Sequence, residues 1–174
     1  MYKRIMVVVD QRPVTRVAVA EGVALAKVHR AEIVFFSVLP TYPLLVADAP
    51  VVAVPSNAFR KEAKANADQA LAAARRIAER EKVASSAGTG SGTSPAHCIA
   101  DAARRRRCDL VVVATEGRNA LLRLLTGSVI PGLITFSHVP VLVCKAERRR
   151  SAQAKGKVVP LKRRPAARRL AAAA

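Results

Sequence analysis

A glycine-containing loop between residues 117 and 128 carries the residue types that bind phosphate. Gly117 is followed after nine residues by Gly127 and Ser128, where an apolar helical pattern begins. Glycines let backbone N–H groups approach phosphate oxygens without a Cβ in the way, and the first turn of a helix offers unpaired N–H donors. Arg118 adds positive charge nearby. The loop therefore predicts an anion site, although a Gly-Ser pair before a helix also serves as an ordinary helix cap.

Further candidate residues stand where predicted buried strands end. Asp10 follows the β-branched run of residues 5–9, Val38 ends the run of residues 33–38, and Ala114 follows the run of residues 110–113. Ligands of open parallel sheets bind outside the carboxyl ends of the strands, where the strand order reverses. We therefore expect these positions to border the same crevice as the glycine-containing loop.

The elements that must position these residues alternate between strand and helix. Helical spacing of apolar residues predicts helices that begin near Pro13, Ala63, Ser94-Pro95 and Ser128. Residues 83–92 are a weak strand candidate, residues 139–144 form the last strand, and the Pro-rich residues 39–57 are predicted to be a long loop. Right-handed crossovers then predict an α/β fold: an open, doubly wound, mostly parallel five-stranded sheet with helices on both faces.

The charge of the chain is concentrated at its C-terminal end. The 174 residues carry 30 Lys and Arg against 12 Asp and Glu, a net charge of +18. Residues 1–144 account for +8 and residues 145–174 for +10. This division predicts an α/β domain over residues 1–145 and a basic, disordered tail over residues 146–174. Such a tail either binds nucleic acid or another polyanion through its charge or remains solvated without a partner.

Catalysis finds little support among the nucleophiles and bases. The three histidines are scattered, no Walker A lysine precedes Gly127-Ser128, and the three cysteines include no C-x-x-C pair. We therefore predict no catalytic residues and no metal site, with at most weak ATP hydrolysis. The absence of a long uncharged apolar segment argues against membrane insertion and favours a cytoplasmic protein.

The sequence resembles the universal stress protein family over residues 1–145. That family has a Gly-x2-Gly-x9-Gly-Ser/Thr motif after its fourth strand, which residues 114–128 match except that Ala114 replaces the first glycine. Val7-Val8-Val9-Asp10 resembles the family's first strand and its aspartate. Val139-Pro140-Val141-Leu142-Val143 resembles its closing strand.

The resemblance implies an adenine nucleotide-binding, Rossmann-like regulatory protein of the stress response, with ATP as ligand, with or without Mg²⁺. It implies that Asp10 bonds the ribose or adenosine edge and that the backbone of Val38 holds adenine. The residues implied to wrap the phosphates are Gly117, Gly127, Ser128 and Val129. Ala114, at the motif's first glycine position, and Arg118, which adds positive charge, are further candidate binding residues at the same place. It also implies a homodimer formed through the final strand, residues 139–144. The alternative is a dimeric scaffold that binds no nucleotide and whose basic tail binds nucleic acid or another polyanion.

Overall fold

A five-stranded sheet, parallel throughout, forms the centre of the fold. The computed structural model of the chain describes residues 1–40, 57–92, 94–115 and 129–145. The strands are β1 (Arg4–Val8), β2 (Glu32–Leu39), β3 (Ser85–Ser91), β4 (Leu110–Thr115) and β5 (Val141–Lys145). Their spatial order is β3-β2-β1-β4-β5, which confirms the predicted α/β fold.

Within the described ranges, four helices cover the two faces of this sheet. They are α1 (Thr15–His29), α2 (Asn57–Arg80), α3 (Pro95–Arg105) and α4 (Val129–Phe136). Helices α1 and α2 enclose a core around Ile5, Val7 and Phe35, whereas α3 and α4 enclose a second core around Met6 and Phe36. Successive residues of β1 and β2 point to opposite faces, so a continuous apolar run supplies both cores.

Several element boundaries differ from the sequence predictions. Helix α1 begins at Thr15, because Pro13 lies in a tight turn whose carbonyl accepts a hydrogen bond from the Arg16 N–H (3.3 Å). The weak candidate at residues 83–92 is a true strand, β3, which pairs with β2 from Ser85 to Ser91. The last strand begins at residue 141 rather than 139. Residues 41–56 of the predicted Pro-rich loop and the tail of residues 146–174 lie outside the described residues.

The order of the strands reverses beside β1, which fixes where a crevice can form. From β1 the chain passes to β2 and then to β3 on one side, whereas β4 and β5 lie on the other side of β1. The Val9 N–H extends the pairing with β2 by donating to the Phe36 carbonyl (2.8 Å), and the chain then turns away at Asp10. The carboxyl ends of β1, β2 and β4 therefore border one opening.

Helix α1 packs unusually close to β1 at Gly22. A Cβ atom at this position would lie 2.5 Å from Cγ2 of Val7, a side chain that is fully buried. A glycine in the middle of a helix costs about 0.5–1 kcal/mol relative to alanine. Here it allows the helix that follows Asp10 to rest directly on the strand that precedes Asp10.

Candidate functional site

Asp10 is held in place by its own turn and by the first residue of α1. Its Oδ1 accepts hydrogen bonds from the Arg12 backbone N–H (3.0 Å) and from the Thr15 hydroxyl. Its Oδ2 pairs with the Arg12 guanidinium, at 2.7 Å from Nε and 2.6 Å from Nη2. The carboxylate is therefore oriented before any ligand arrives, and Arg12 is the group that a ligand donor would displace.

Gln11 joins this turn to helix α2. Its side-chain amide lies 3.1 Å from the Asn66 side-chain oxygen, 3.2 Å from the Asn66 carbonyl and 3.2 Å from the Gln69 side-chain oxygen. The amide thus fixes the distance between the end of β1 and the middle of α2. Asp10 and Gln11 also border two cavities, one on each side.

The first cavity, called here the β2 cleft, lies between the end of β2 and α2. It has a volume of about 250 Å³ and includes Asp10, Ser37 and Val38 on the sheet side, with Ala63 and Asn66 on the helix side. This volume is slightly below the ~300–1,000 Å³ of typical small-molecule sites. The cleft can therefore take a flat ring system, while the rest of a larger ligand must extend beyond it.

Ser37 is the least expected residue of the β2 cleft. The residue is buried, with only 3% of its surface exposed. Among the residues that the structure describes, none forms a hydrogen bond with its hydroxyl. A buried polar group without a partner costs about 1–3 kcal/mol. Because this hydroxyl lines the cleft, a ligand with a hydrogen-bonding edge would satisfy it.

The second cavity, between α1 and α2, has a volume of about 350 Å³. Its walls include Val19 and Ile77, and its rim carries Arg12, Arg16 and Gln69. It shares Asp10 with the β2 cleft, so the Asp10–Arg12 pair stands between the two spaces. Nothing in the sequence predicts this cavity, because α1 and α2 are separated by the whole of β2 and residues 40–56.

The structure brings together only part of the predicted site. Asp10 and Val38 border the same cleft, as expected from the strand ends. Ala114 lies in β4 opposite Cys144, and Val129 is the first residue of α4, half-buried against the second core. Gly117, Arg118, Gly127 and Ser128 lie outside the described residues.

The cysteines do not form reactive centres in the described part of the chain. Burial raises the pKa of the Cys108 thiol to about 11, and this effect outweighs the neighbouring Arg4 and Arg106, which lower it. Cys108 follows a run of four arginines in the sequence, and nearby cations taken alone would lower the pKa of a thiol. Burial also raises the pKa of Cys98 and Cys144. All three thiols are free and stay protonated at neutral pH.

Other groups that sequence reasoning weighed for chemistry are explained by local structure. His97 lies on the first turn of α3, where its backbone N–H donates to the capping Ser94 hydroxyl (3.4 Å) and its ring stacks on Phe136 at 3.8 Å between centroids.

The described ranges also bear on the metal and membrane predictions. They contain no cluster of three metal-binding side chains. No helix among the described residues is long and apolar enough to cross a membrane.

Comparison with known proteins assigns the chain to a family. The model of the universal stress protein family matches residues 1–145, which is most of the chain. The chain belongs to this family. Universal stress protein MJ0531 of Methanocaldococcus jannaschii is 29% identical over 154 residues, which cover 86% of this chain and 85% of that protein.

Solved structures of the family share the fold at lower identity. A universal stress protein from Archaeoglobus fulgidus, in complex with dAMP, is 18% identical, with a TM-score of 0.60 over 83% of this chain and 98% of that chain. A family protein from Arabidopsis thaliana, with AMP bound, is 17% identical, with a TM-score of 0.61 over 83% of this chain and 92% of that chain. These likenesses establish the fold of this family member.

Sequence reasoning missed Arg12, Thr15 and Ser37. Arg12 and Thr15 stand two and five residues after Asp10, at the spacing of a turn that returns to its own carboxylate. Ser37 interrupts the buried apolar run of residues 33–38, and a lone hydroxyl in such a run was the signal available. Ala63 and Asn66 could not be found, because nothing in the sequence tells which face of α2 meets the end of β2.

Proposed function

We propose that this universal stress protein binds an adenine nucleotide in the β2 cleft and that occupancy of the cleft regulates a partner during stress. The observation that carries the proposal is the buried Ser37 hydroxyl without a described partner, beside Asp10 in a cleft large enough for a flat ring. Relatives of the same fold have AMP or dAMP bound. The natural ligand in this proposal is ATP, with or without Mg²⁺.

The backbone of Val38 is the proposed partner of the adenine edge. Phe36 accepts a hydrogen bond from the Val9 N–H, which shows that its carbonyl faces β1. Because strand residues two apart direct their backbone groups to the same side, Val38 faces the space where β1 has already ended. Its N–H and C=O can therefore pair with a base in the way that a further strand would.

The rest of the nucleotide extends from the cleft toward the reversal of strand order beside β1. In this proposal Asp10 accepts hydrogen bonds from the ribose, which displaces one bond of the Arg12 guanidinium. The phosphates reach the loop after β4, where Ala114, Gly117, Arg118, Gly127, Ser128 and Val129 are the proposed contacts. The proposed activity is binding rather than turnover, because the Asp10 carboxylate is held by Arg12 and Thr15 and is assigned here to the ribose.

The proposal is tested first on protein purified without added nucleotide. Denaturation followed by chromatography of the released small molecules should identify an adenine nucleotide. Calorimetric titration of stripped protein with AMP, ATP and Mg-ATP should give saturable binding at one site per chain. Protein that releases no nucleotide and gives no heat with any of the three ligands would contradict the proposed function.

Ser37→Ala separates a ligand contact from a structural role. The substitution removes a hydroxyl that has no described partner, so we expect the free energy of unfolding to stay unchanged or to rise by up to about 1 kcal/mol. Nucleotide affinity should fall by about tenfold, equivalent to ~1.4 kcal/mol, for the loss of one hydrogen bond to the ligand. Urea unfolding and calorimetric titration measure the two quantities. If Ser37→Ala bound nucleotide with the wild-type Kd, Ser37 would not be a ligand contact.

We further propose that the protein forms a homodimer through β5. This strand is at the edge of the sheet, and Val143 on it is 36% exposed. The Val111 N–H donates to the Pro140 carbonyl (3.0 Å), so the alternation of a parallel ladder directs the backbone groups of Val141 and Val143 to the open edge. An uncovered apolar edge strand is a template for a second chain.

Val143→Lys tests this interface. A buried, unpaired ammonium at the centre of the interface should convert the dimer to a monomer in sedimentation velocity at micromolar concentration. Val28→Lys is the matched control, because Val28 is 79% exposed and lies on α1 rather than on the edge strand. It should sediment as the wild type does. If Val143→Lys remained dimeric, the interface would have to lie elsewhere.

A further inference from the structure

Three helices of this protein end in the same way. After α1, α2 and α3 a basic residue adopts the left-handed conformation: Arg30 (φ 54°), Lys82 (φ 57°) and Arg107 (φ 54°). In each case the next residue donates its N–H to a carbonyl five positions earlier, namely Ala31 to Ala26, Val83 to Ala78 and Cys108 to Ala103, all at 2.9 Å. This is the Schellman arrangement, in which the left-handed position is usually glycine.

For the backbone alone, glycine would be more favourable than a basic residue at these three positions. A left-handed conformation costs an L-residue roughly 1–2 kcal/mol, whereas glycine adopts it freely. A cation near the end of a helix interacts favourably with the helix dipole, but this does not explain why Arg30, Lys82 and Arg107 are basic. A cation inside the last turn would make the same interaction without a strained backbone. Lys27, Arg80 and Arg105 already occupy the last turns of α1, α2 and α3.

The strand order brings these residues into one line. Lys82, Arg30 and Arg107 precede β3, β2 and β4, and Lys3 precedes β1 between them. Neighbouring strands are about 4.8 Å apart, so four cations at four adjacent strand ends span about 14 Å. We call Lys82, Arg30, Lys3 and Arg107 the amino-edge row. It lies at the opposite end of the sheet from the β2 cleft.

The charges of the amino-edge row are not neutralised within the described part of the chain. All four side chains belong to exposed residues, and none forms an ion pair with another described residue. Two nearby carboxylates pair with cations outside the row, Glu32 with Arg4 (2.7 Å) and Glu81 with Lys27 (2.7 Å). The Asp109 carboxylate accepts hydrogen bonds from the Lys3 backbone N–H (2.6 Å) and the Arg4 backbone N–H (3.2 Å) and forms no ion pair with a described side chain. The row therefore presents four unpaired positive charges to the solvent.

We propose that the amino-edge row binds the phosphate backbone of double-stranded nucleic acid. Each strand of a duplex carries one negative charge per ~3.4 Å of helix axis, so a 14 Å row spans about four phosphates. A row of charges at adjacent strand ends suits a linear, regularly charged polymer. Contacts of this kind position the duplex and do not read its sequence. The nucleotide cleft stays open at the other end of the sheet.

The test replaces the three basic residues that have a left-handed backbone by glycine, which adopts this conformation without strain. The row variant carries Arg30→Gly, Lys82→Gly and Arg107→Gly in the full chain. The matched control carries Arg60→Gln, Lys61→Gln and Arg76→Gln, which removes the same charge from exposed positions of α2. Both variants keep the basic tail. Binding of a labelled 24-base-pair duplex is measured by fluorescence anisotropy between 50 and 200 mM salt, and stability by urea unfolding.

We expect the row variant to bind DNA about tenfold more weakly or worse, with a slope of log K against log salt that is shallower by about three. Its urea midpoint should be equal to or higher than that of the wild type, since glycine relieves the backbone strain. The control should retain most of its affinity. In the wild type, bound duplex should protect Lys3 and Lys82 from acetylation but leave Lys61 reactive.

Two outcomes would overturn the proposal. An equal loss of DNA affinity in the row variant and the control would show that only the net charge matters. Retained DNA binding in the row variant, with lost binding to phosphatidylserine vesicles, would assign the row to a membrane surface instead. Failure of either kind leaves the nucleotide proposal untouched, because the two sites share no residue.

Discussion

Ala63→Trp is expected to abolish adenine nucleotide binding, with a Kd raised about 100-fold or more, a loss of ~2.7 kcal/mol. Ala63 lies on the α2 side of the β2 cleft, opposite Ser37 and Val38. The cleft measures about 250 Å³, and an indole ring at this position would occupy the space that we assign to the base. The ribose and phosphates would then no longer be positioned by a bound base. Calorimetric titration with AMP measures the loss.

Ala65→Trp is the matched control for this substitution. Ala65 lies two residues further along α2 at an exposed position, so its indole projects into solvent. The chain contains no other tryptophan, and both variants therefore have the same composition. The control should bind AMP with the wild-type Kd. Equal affinity of Ala63→Trp and Ala65→Trp would place the nucleotide outside the β2 cleft, even if the protein still bound it.

Phe35→Ala is expected to lower the free energy of unfolding by about 3–5 kcal/mol, a large share of the 5–15 kcal/mol of a typical domain. Phe35 is fully buried in β2, between the sheet and the helices α1 and α2. The chain has only four phenylalanines and no tryptophan, so the core consists mainly of small aliphatic side chains. These cannot move far enough to fill the cavity that the missing ring leaves. Urea unfolding of the full chain measures the effect.

Phe136→Ala removes the same ring from the end of α4, where it is 41% exposed and stacks on His97. We expect a loss of about 1 kcal/mol, because much of this ring is already in contact with water. Comparable losses in the two variants would mean that Phe35 is not enclosed as the structure shows. Because Ser37 is two residues from Phe35 on the same face of β2, Phe35→Ala should also weaken nucleotide binding.

The sequence by itself determined the strands and their type. Runs such as residues 5–9 and 110–113 are apolar at every position, which only a strand covered on both faces requires. Alternation of these runs with helical patterns was sufficient for the α/β fold, and Ser94-Pro95 marked the start of α3 correctly. The same reasoning placed Asp10 and Val38 beside one crevice, and both border the β2 cleft, since parallel strands end at a common edge.

The weak prediction was β3, whose residues are only serine, glycine, alanine and threonine. Side chains of this size carry little hydrophobic pattern, so the strand was recognisable only as a weak stretch of the chain. Close packing explains two of these small residues, because a Cβ at Gly88 would lie 2.1 Å from Arg106 Nη2 and a Cβ at Gly90 would lie 2.7 Å from the Phe36 ring. Tertiary pairing with β2 supplies the strand stability that its own residues lack.

The tertiary structure alone decided which residues share a site. It placed Ser37 against Ala63 of α2, returned Arg12 and Thr15 to Asp10, and aligned Lys82, Arg30, Lys3 and Arg107 along one edge. The physical reason is the same in each case. Local sequence fixes the direction and burial of a single element, whereas contacts between elements depend on strand order and on the rotation of each helix about its axis. Both are set by the packing of the whole core, which no short segment of the sequence contains.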